Sequence, residues 1–232
     1  TIKELATYYH AQAQQSKSLS DYTEAASWYR RFLTSFLSEP DAAEMDFNYA
    51  ESLFESHQYE DAIKEYRHVA YDFPPGEHSA DAGHAAIVAF SLRENELGGE
   101  AKEAWHELGL VESMRFVSQF QGHPQADAVL VKAMYGWSEL KRITEAVSAA
   151  EMLIKQGDRF KPVDRRNASA IVANAHFDQQ QFAQAEQDYL QLLEIWPRND
   201  ENYKIFIERL AAAIYKQAEQ SQSAGKSEEA LN

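Results

Sequence analysis

The 232 residues carry 22 basic and 37 acidic side chains, and the net charge of -15 excludes non-specific attraction to nucleic acid or to an anionic lipid surface. Hydrophobic residues make up 44% and charged residues 25%, with only 9 Gly and 6 Pro, which excludes disorder over most of the chain and favours helix. The absence of cysteine excludes disulfide frameworks and thiolate metal sites, and leaves the compartment open.

No apolar run approaches the roughly 20 residues that cross a bilayer, so direct membrane insertion by this segment is not expected. The chain opens at Thr1 without Met or a leader-like stretch, and reads as an excised or processed piece. Its acidity is uneven: residues 1–127 hold 9 basic and 22 acidic side chains, whereas residues 128–166 hold 8 and 5. The amino-terminal half therefore favours a basic partner, although such charges also serve simply to solvate outer helix faces.

A repeated pattern runs along the chain, in which an apolar residue stands three before an alanine and a helical stripe follows at i+4, i+7 and i+11. Residues 5–40 contain Tyr22, Ala25, Tyr29, Phe32 and Phe36, closed by Pro40. Residues 41–74 open with a helix apolar on two sides: Ala43, Phe47, Ala50 and Phe54 form one stripe, and Ala42, Tyr49 and Leu53 another. Such a helix needs neighbours on both sides, as in a stacked pair. Tyr59, Ala62, Tyr66, Val69 and Phe73 follow, closed by Pro74. Residues 75–124 are irregular, because Leu97-Gly98-Gly99-Glu100 interrupts the pattern, and predict lengthened helices or an inserted turn. Residues 125–161 restore the register with Ile143, Ala146, Ala150, Leu153 and Gly157. Residues 162–197 carry Ala170, Val172, Ala173, His176 and Phe177, then Phe182, Ala185, Tyr189, Leu192 and Trp196, closed by Pro197. Residues 198–232 are an incomplete unit: Gly225-Lys226-Ser227-Glu228-Glu229-Ala230 reads as a turn and the start of an outer helix, and more repeats are expected to follow.

Pro40 and Pro74 lie 34 positions apart and Pro162 and Pro197 lie 35 apart, close to the tetratricopeptide period. The second unit, through Tyr49-Ala50, Leu53, Tyr59, Ala62, Tyr66, Val69 and Pro74, resembles the tetratricopeptide repeat family. So does the fifth, through Val172-Ala173, His176, Phe182, Ala185, Tyr189, Leu192 and Pro197. The resemblance implies an all-α fold, a right-handed superhelical solenoid of antiparallel helix hairpins in about six units with the boundaries given above. It also implies a protein-binding scaffold without catalytic chemistry or cofactor. The outer-helix tails, Tyr66 to Pro74 and Met114 to Phe120, are similar to those of bacterial cell-envelope tetratricopeptide lipoproteins of the outer-membrane assembly and Tol-Pal-associated types. That narrower likeness implies a periplasmic or outer-membrane-associated location. An adaptor segment of a larger enzyme or regulator stays open as the alternative.

By the family's geometry the inner helices line a concave groove that takes a protein or peptide. Its lining would include Phe47, Asn48, Glu51, Phe54 and Glu55 in the second unit. The fourth unit would add Val131, Lys132, Tyr135 and Ser138, and the fifth Asn167, Ile171, Asn174 and Asp178. Phe54 and Phe177 equally suit packing between repeats. Phe47 and Glu51 stand where chaperone-binding members clamp a terminal carboxylate with lysine and asparagine, so an internal, basic segment is the expected ligand.

Other chemistry finds little footing. Glu77, His78, Asp81 and His84 spread around a helix instead of converging as metal ligands, and read as solvated side chains. Glu103, His106 and Glu107 read as a solvated face, His176 as a core histidine, and Gly98-Gly99 as a turn with no phosphate-binding strand before it. Asn167-Ala168-Ser169 matches a glycosylation acceptor in form but falls inside an expected helix.

Overall fold

The computed structural model describes residues 1–36 and 39–223. Eleven α-helices and no strand occur among them. In order they are α1 (Ile2–Ser16), α2 (Leu19–Phe36), α3 (Ala42–Glu55), α4 (Tyr59–Tyr71), α5 (Ser79–Asn95), α6 (Gly99–Gln119), α7 (Ala126–Glu139), α8 (Ile143–Gln156), α9 (Pro162–Asp178), α10 (Phe182–Ile195) and α11 (Glu201–Ser223). The chain divides into two compact units, Thr1–Val129 and Leu130–Asn232. In the first, each helix from α1 to α6 packs against the next in sequence; in the second, α8, α9, α10 and α11 do the same. The expected all-α succession of helix hairpins is thus present within each unit. The turn and helix start expected at residues 225–230 lie outside the described residues.

The marker alanines explain how the hairpins close. Ala25, Ala62, Ala146 and Ala185 are all fully buried, and their small side chains let the paired helix approach. Tyr22, Tyr59 and Phe182, three residues before, are buried as well, whereas Ile143 is 46% exposed, so the fourth copy keeps the alanine but not its apolar companion. Five positions before three of these alanines the backbone turns left-handed: His57 (φ 63°), Lys141 (φ 56°) and Gln180 (φ 61°). In each case the next amide reaches back across the turn, Gln58 to the Leu53 carbonyl (2.9 Å), Arg142 to Trp137 (2.9 Å) and Gln181 to His176 (2.8 Å). This is the helix-ending arrangement that glycine normally serves, used here three times without glycine. The sequence reading did not mark these turns, because no glycine advertises them.

In the irregular third unit α6, at 21 residues, is longer than the helices before it, whereas α5 has 17, the same as α9 and fewer than the 18 of α2; Glu96, Leu97 and Gly98 stand between them. Gly83 of α5 lies against the end of α6, since a Cβ there would stand 3.1 Å from the ring of Phe116 and from that of Phe120, the residue that follows α6.

Candidate functional site

In the first unit, α1, α2, α3 and α4 surround a pocket of about 380 Å³ lined by His10, Gln14, Lys17, Tyr22, Glu51, Phe54, Glu55 and Tyr66. Its aromatic wall is built edge to face: Phe54 packs against Tyr66 (6.3 Å between centroids), and His10 against Tyr22 (6.3 Å) and Tyr29 (5.6 Å). His10 is buried, its Nδ1 3.0 Å from the Tyr29 hydroxyl and its Nε2 3.3 Å from the Gln14 amide. Burial holds its pKa below the ordinary histidine range, so the neutral ring is favoured and brings no positive charge to the wall.

Two carboxylates face this wall. Burial, and then repulsion from Glu55, raise the Glu51 pKa above the usual carboxylate range. Burial, followed by the charges of Glu51 and Glu55, also raises the Tyr66 hydroxyl, so both acids act on the same aromatic surface. Glu55, one helical turn beyond Glu51, is exposed at the mouth, as is Lys17. A concave, aromatic pocket with two carboxylates, one of them partly buried, is shaped for a cation: the ring faces attract it and the carboxylates pair with it.

The expected groove residues divide among several environments. Glu51 and Glu55 meet at the pocket, together with Phe54. Phe54 also packs against Tyr59 (5.7 Å), so it is both a packing residue and a lining one. Phe47 is half-buried, stacked on His78 (4.6 Å, 10° between planes) and tilted against Tyr66 (5.9 Å). It forms a packed shelf, and Asn48 next to it is half-buried. In the second unit Tyr135 donates its hydroxyl to Asp164 (3.1 Å) and accepts from the Asn167 amide (2.7 Å), which fixes α7 to α9. Asn174 accepts from both the Tyr189 hydroxyl (2.7 Å) and Arg209 (3.1 Å), and Arg209 also reaches Asp178 (3.6 Å). Asp178 lines a cleft of about 1000 Å³ with Phe177, Phe182 and Lys216. Val131, Ser138 and Ile171 are half-buried and Lys132 is exposed.

Sequence reasoning missed His10 and Gln14, which lie one helical turn apart on α1, and it took Tyr22 and Tyr66 for packing residues alone. The available signal was the i, i+4 spacing of His10 and Gln14, on the side of α1 that also buries Ala6 and Ala13. Several histidines and acids read as solvated are partnered instead. His106 bonds Glu94 (3.0 Å) and His123 bonds Asp81 (3.1 Å), each joining α5 to α6 or its following turn, and His84 packs on Phe116 and His123. The reason is the same throughout: residues spread around one helix in sequence are collected by the neighbouring helix. His176, half-buried, is held at 2.6 Å by Asp188 and is a polar clasp between α9 and α10.

The second hairpin holds a further cluster, Asp46 of α3 with Glu65 and His68 of α4, whose ligand-type atoms all lie within 4.8 Å of one another.

No protein-family model and no curated protein matches the chain. Among solved structures it is similar to a tetratricopeptide repeat protein from Parabacteroides merdae, with 11% identity and a TM-score of 0.45 over 99% of this chain and 78% of the other. It is also similar to a thermophilic tetratricopeptide protein of Thermus thermophilus, with 13% identity and a TM-score of 0.38 over 90% and 98%. Neither description names a cell-envelope protein. At these scores the fold stands on the helices themselves.

Proposed function

We propose that the protein is a non-catalytic interaction scaffold of tetratricopeptide type that binds a basic segment of another protein, with a lysine or arginine side chain seated between Glu51 and Glu55. The observation that carries this reading is the pairing of two carboxylates with an aromatic wall in one pocket of about 380 Å³, on the helix that the repeat pattern assigns to the inner surface. Burial leaves Glu51 short of solvation, so an arriving ammonium or guanidinium group restores what folding removed. The stem of the same side chain packs on Phe54 and Tyr66, as long cationic side chains do on apolar surface. The net charge of -15 steers basic partners toward the chain at long range.

Selection from a random peptide display library against the purified chain tests the reading. Enriched sequences are expected to share a lysine or arginine flanked by apolar residues. Enrichment of acidic sequences, or of no consensus at all, would overturn it.

A further inference from the structure

Three positions of each hairpin can be compared by counting from the marker alanine: sixteen before it, three after and six after. In the first hairpin these are Tyr9, Trp28 and Arg31, and they make an ordinary stack, with Tyr9 on Trp28 (5.9 Å, 4° between planes) and Arg31 over the Trp28 ring (4.5 Å). In the fourth they are Leu130, Ala149 and Met152, of which the first two are buried. In the second they are Asp46, Glu65 and His68. In the fifth they are Ser169, Asp188 and Gln191, with a single carboxyl group. Of these four hairpins only the second brings two carboxyl groups and an imidazole to the three positions.

The cost of this arrangement is visible. Asp46 has no solvent exposure, its Oδ2 lies 2.6 Å from His68 Nδ1, and its Oδ1 is buried with no hydrogen-bond partner. Burial and the neighbouring Glu65 both push the Asp46 carboxyl pKa upward, opposed only by His68. A buried carboxyl group with one oxygen unpartnered, a second carboxyl group beside it and an imidazole within reach gather three potential cation ligands in one place.

We propose that Asp46, Glu65 and His68 form a binding site for a single divalent transition-metal ion, of which zinc is the best fit. Two carboxylate oxygens and one imidazole nitrogen are the donors that zinc takes, whereas calcium and magnesium prefer oxygen alone and more ligands or water. Glu65 and His68, three apart on α4, share a helix face, and Asp46 closes the set from α3. Tetrahedral zinc with bonds of about 2 Å spaces its ligand atoms by roughly 3.3 Å. The atoms here lie within 4.8 Å, and Glu65 and His68 are only partly buried, so a change of their side-chain torsions brings the set together. That partial exposure leaves the fourth position to water and provides the route of entry. Bound there, the ion would neutralise both carboxylates, give the orphaned oxygen a partner and tie α3 to α4.

The chain without a histidine tag, stripped with chelator, is titrated with zinc chloride by calorimetry and with cobalt chloride by visible absorption. One equivalent of zinc is expected to bind, cobalt to give the intense bands of a four-coordinate site, and zinc to raise the melting temperature. Glu65→Gln and His68→Gln should each weaken zinc binding by about a hundredfold, and His176→Gln, at the other short histidine–aspartate pair, should leave it unchanged. Circular dichroism checks that each variant is folded, and Glu65, being partly exposed, is the variant least able to fail on that account. Absence of saturable zinc binding to the parent chain would overturn the assignment, as would binding unaffected by both Glu65→Gln and His68→Gln.

Discussion

Ala185→Leu puts the repeat register under direct strain. Ala185 has no exposure, and Tyr189 and Leu192 on the same helix have none either, with Phe206 and Ala213 of α11 closing the cluster around them. Three added carbon atoms therefore meet side chains that cannot retreat into solvent. Overpacking of this kind costs about 1–3 kcal/mol, and the completely enclosed surroundings argue for the upper half of that range. For a chain of this length each kcal/mol lowers the melting temperature by about 2–4 °C, so a fall of roughly 4–12 °C is expected. The comparison is Ala183→Leu on the same helix, where residue 183 is exposed. Both substitutions change helix propensity equally, and the exposed one should stay within about 0.5 kcal/mol of the parent. Thermal unfolding followed by circular dichroism at 222 nm measures both. Equal melting temperatures for the two variants would refute the claim that the marker alanine seats one helix on the next.

The left-handed turns are also open to test: His57→Gly should stabilise the chain by up to about 1 kcal/mol, since glycine removes the strain of φ 63° at some cost in unfolded-chain entropy. A decrease in urea midpoint would contradict that conformation. Binding of a selected basic peptide should weaken as the pH falls through the Glu51 pKa. Because burial and Glu55 raise that value, the loss begins at a higher pH than for an ordinary glutamate, and fluorescence polarisation across pH 4 to 7 follows it. Affinity that is flat over this range would show that Glu51 carries no charge used in binding.

Much of the architecture was legible in the sequence because it depends on local periodicity. A buried alanine with an apolar stripe behind it marks a packed helix wherever it recurs, and Pro162, read as the opening of the fifth unit, stands at the first position of α9. What periodicity cannot convey is which helix meets which polar side chain. Glu51, Phe54 and Glu55 were grouped from their spacing on one helix, but His10 and Gln14 join them only where α1 to α4 come together around the pocket. Asp46 looks like one more acid in an acidic half until α4 turns back and lays Glu65 and His68 over it. The third unit failed to show its period because α6 runs to 21 residues, which moves the closing residue. The cell-envelope likeness, which rested on an aromatic residue near a terminal proline, finds no support in the comparisons, and Phe73 there is occupied in packing on His68 (4.6 Å).

The most direct test of the proposed function is the affinity of a library-selected basic peptide for the parent chain and for the Glu51→Gln, Glu55→Gln double variant, measured at low and at high salt. Electrostatic capture in the pocket predicts that the parent binds more weakly as salt rises, and that the double variant binds weakly at both concentrations with little dependence on salt. Equal affinities for parent and variant, with the same response to salt, would place the binding surface elsewhere.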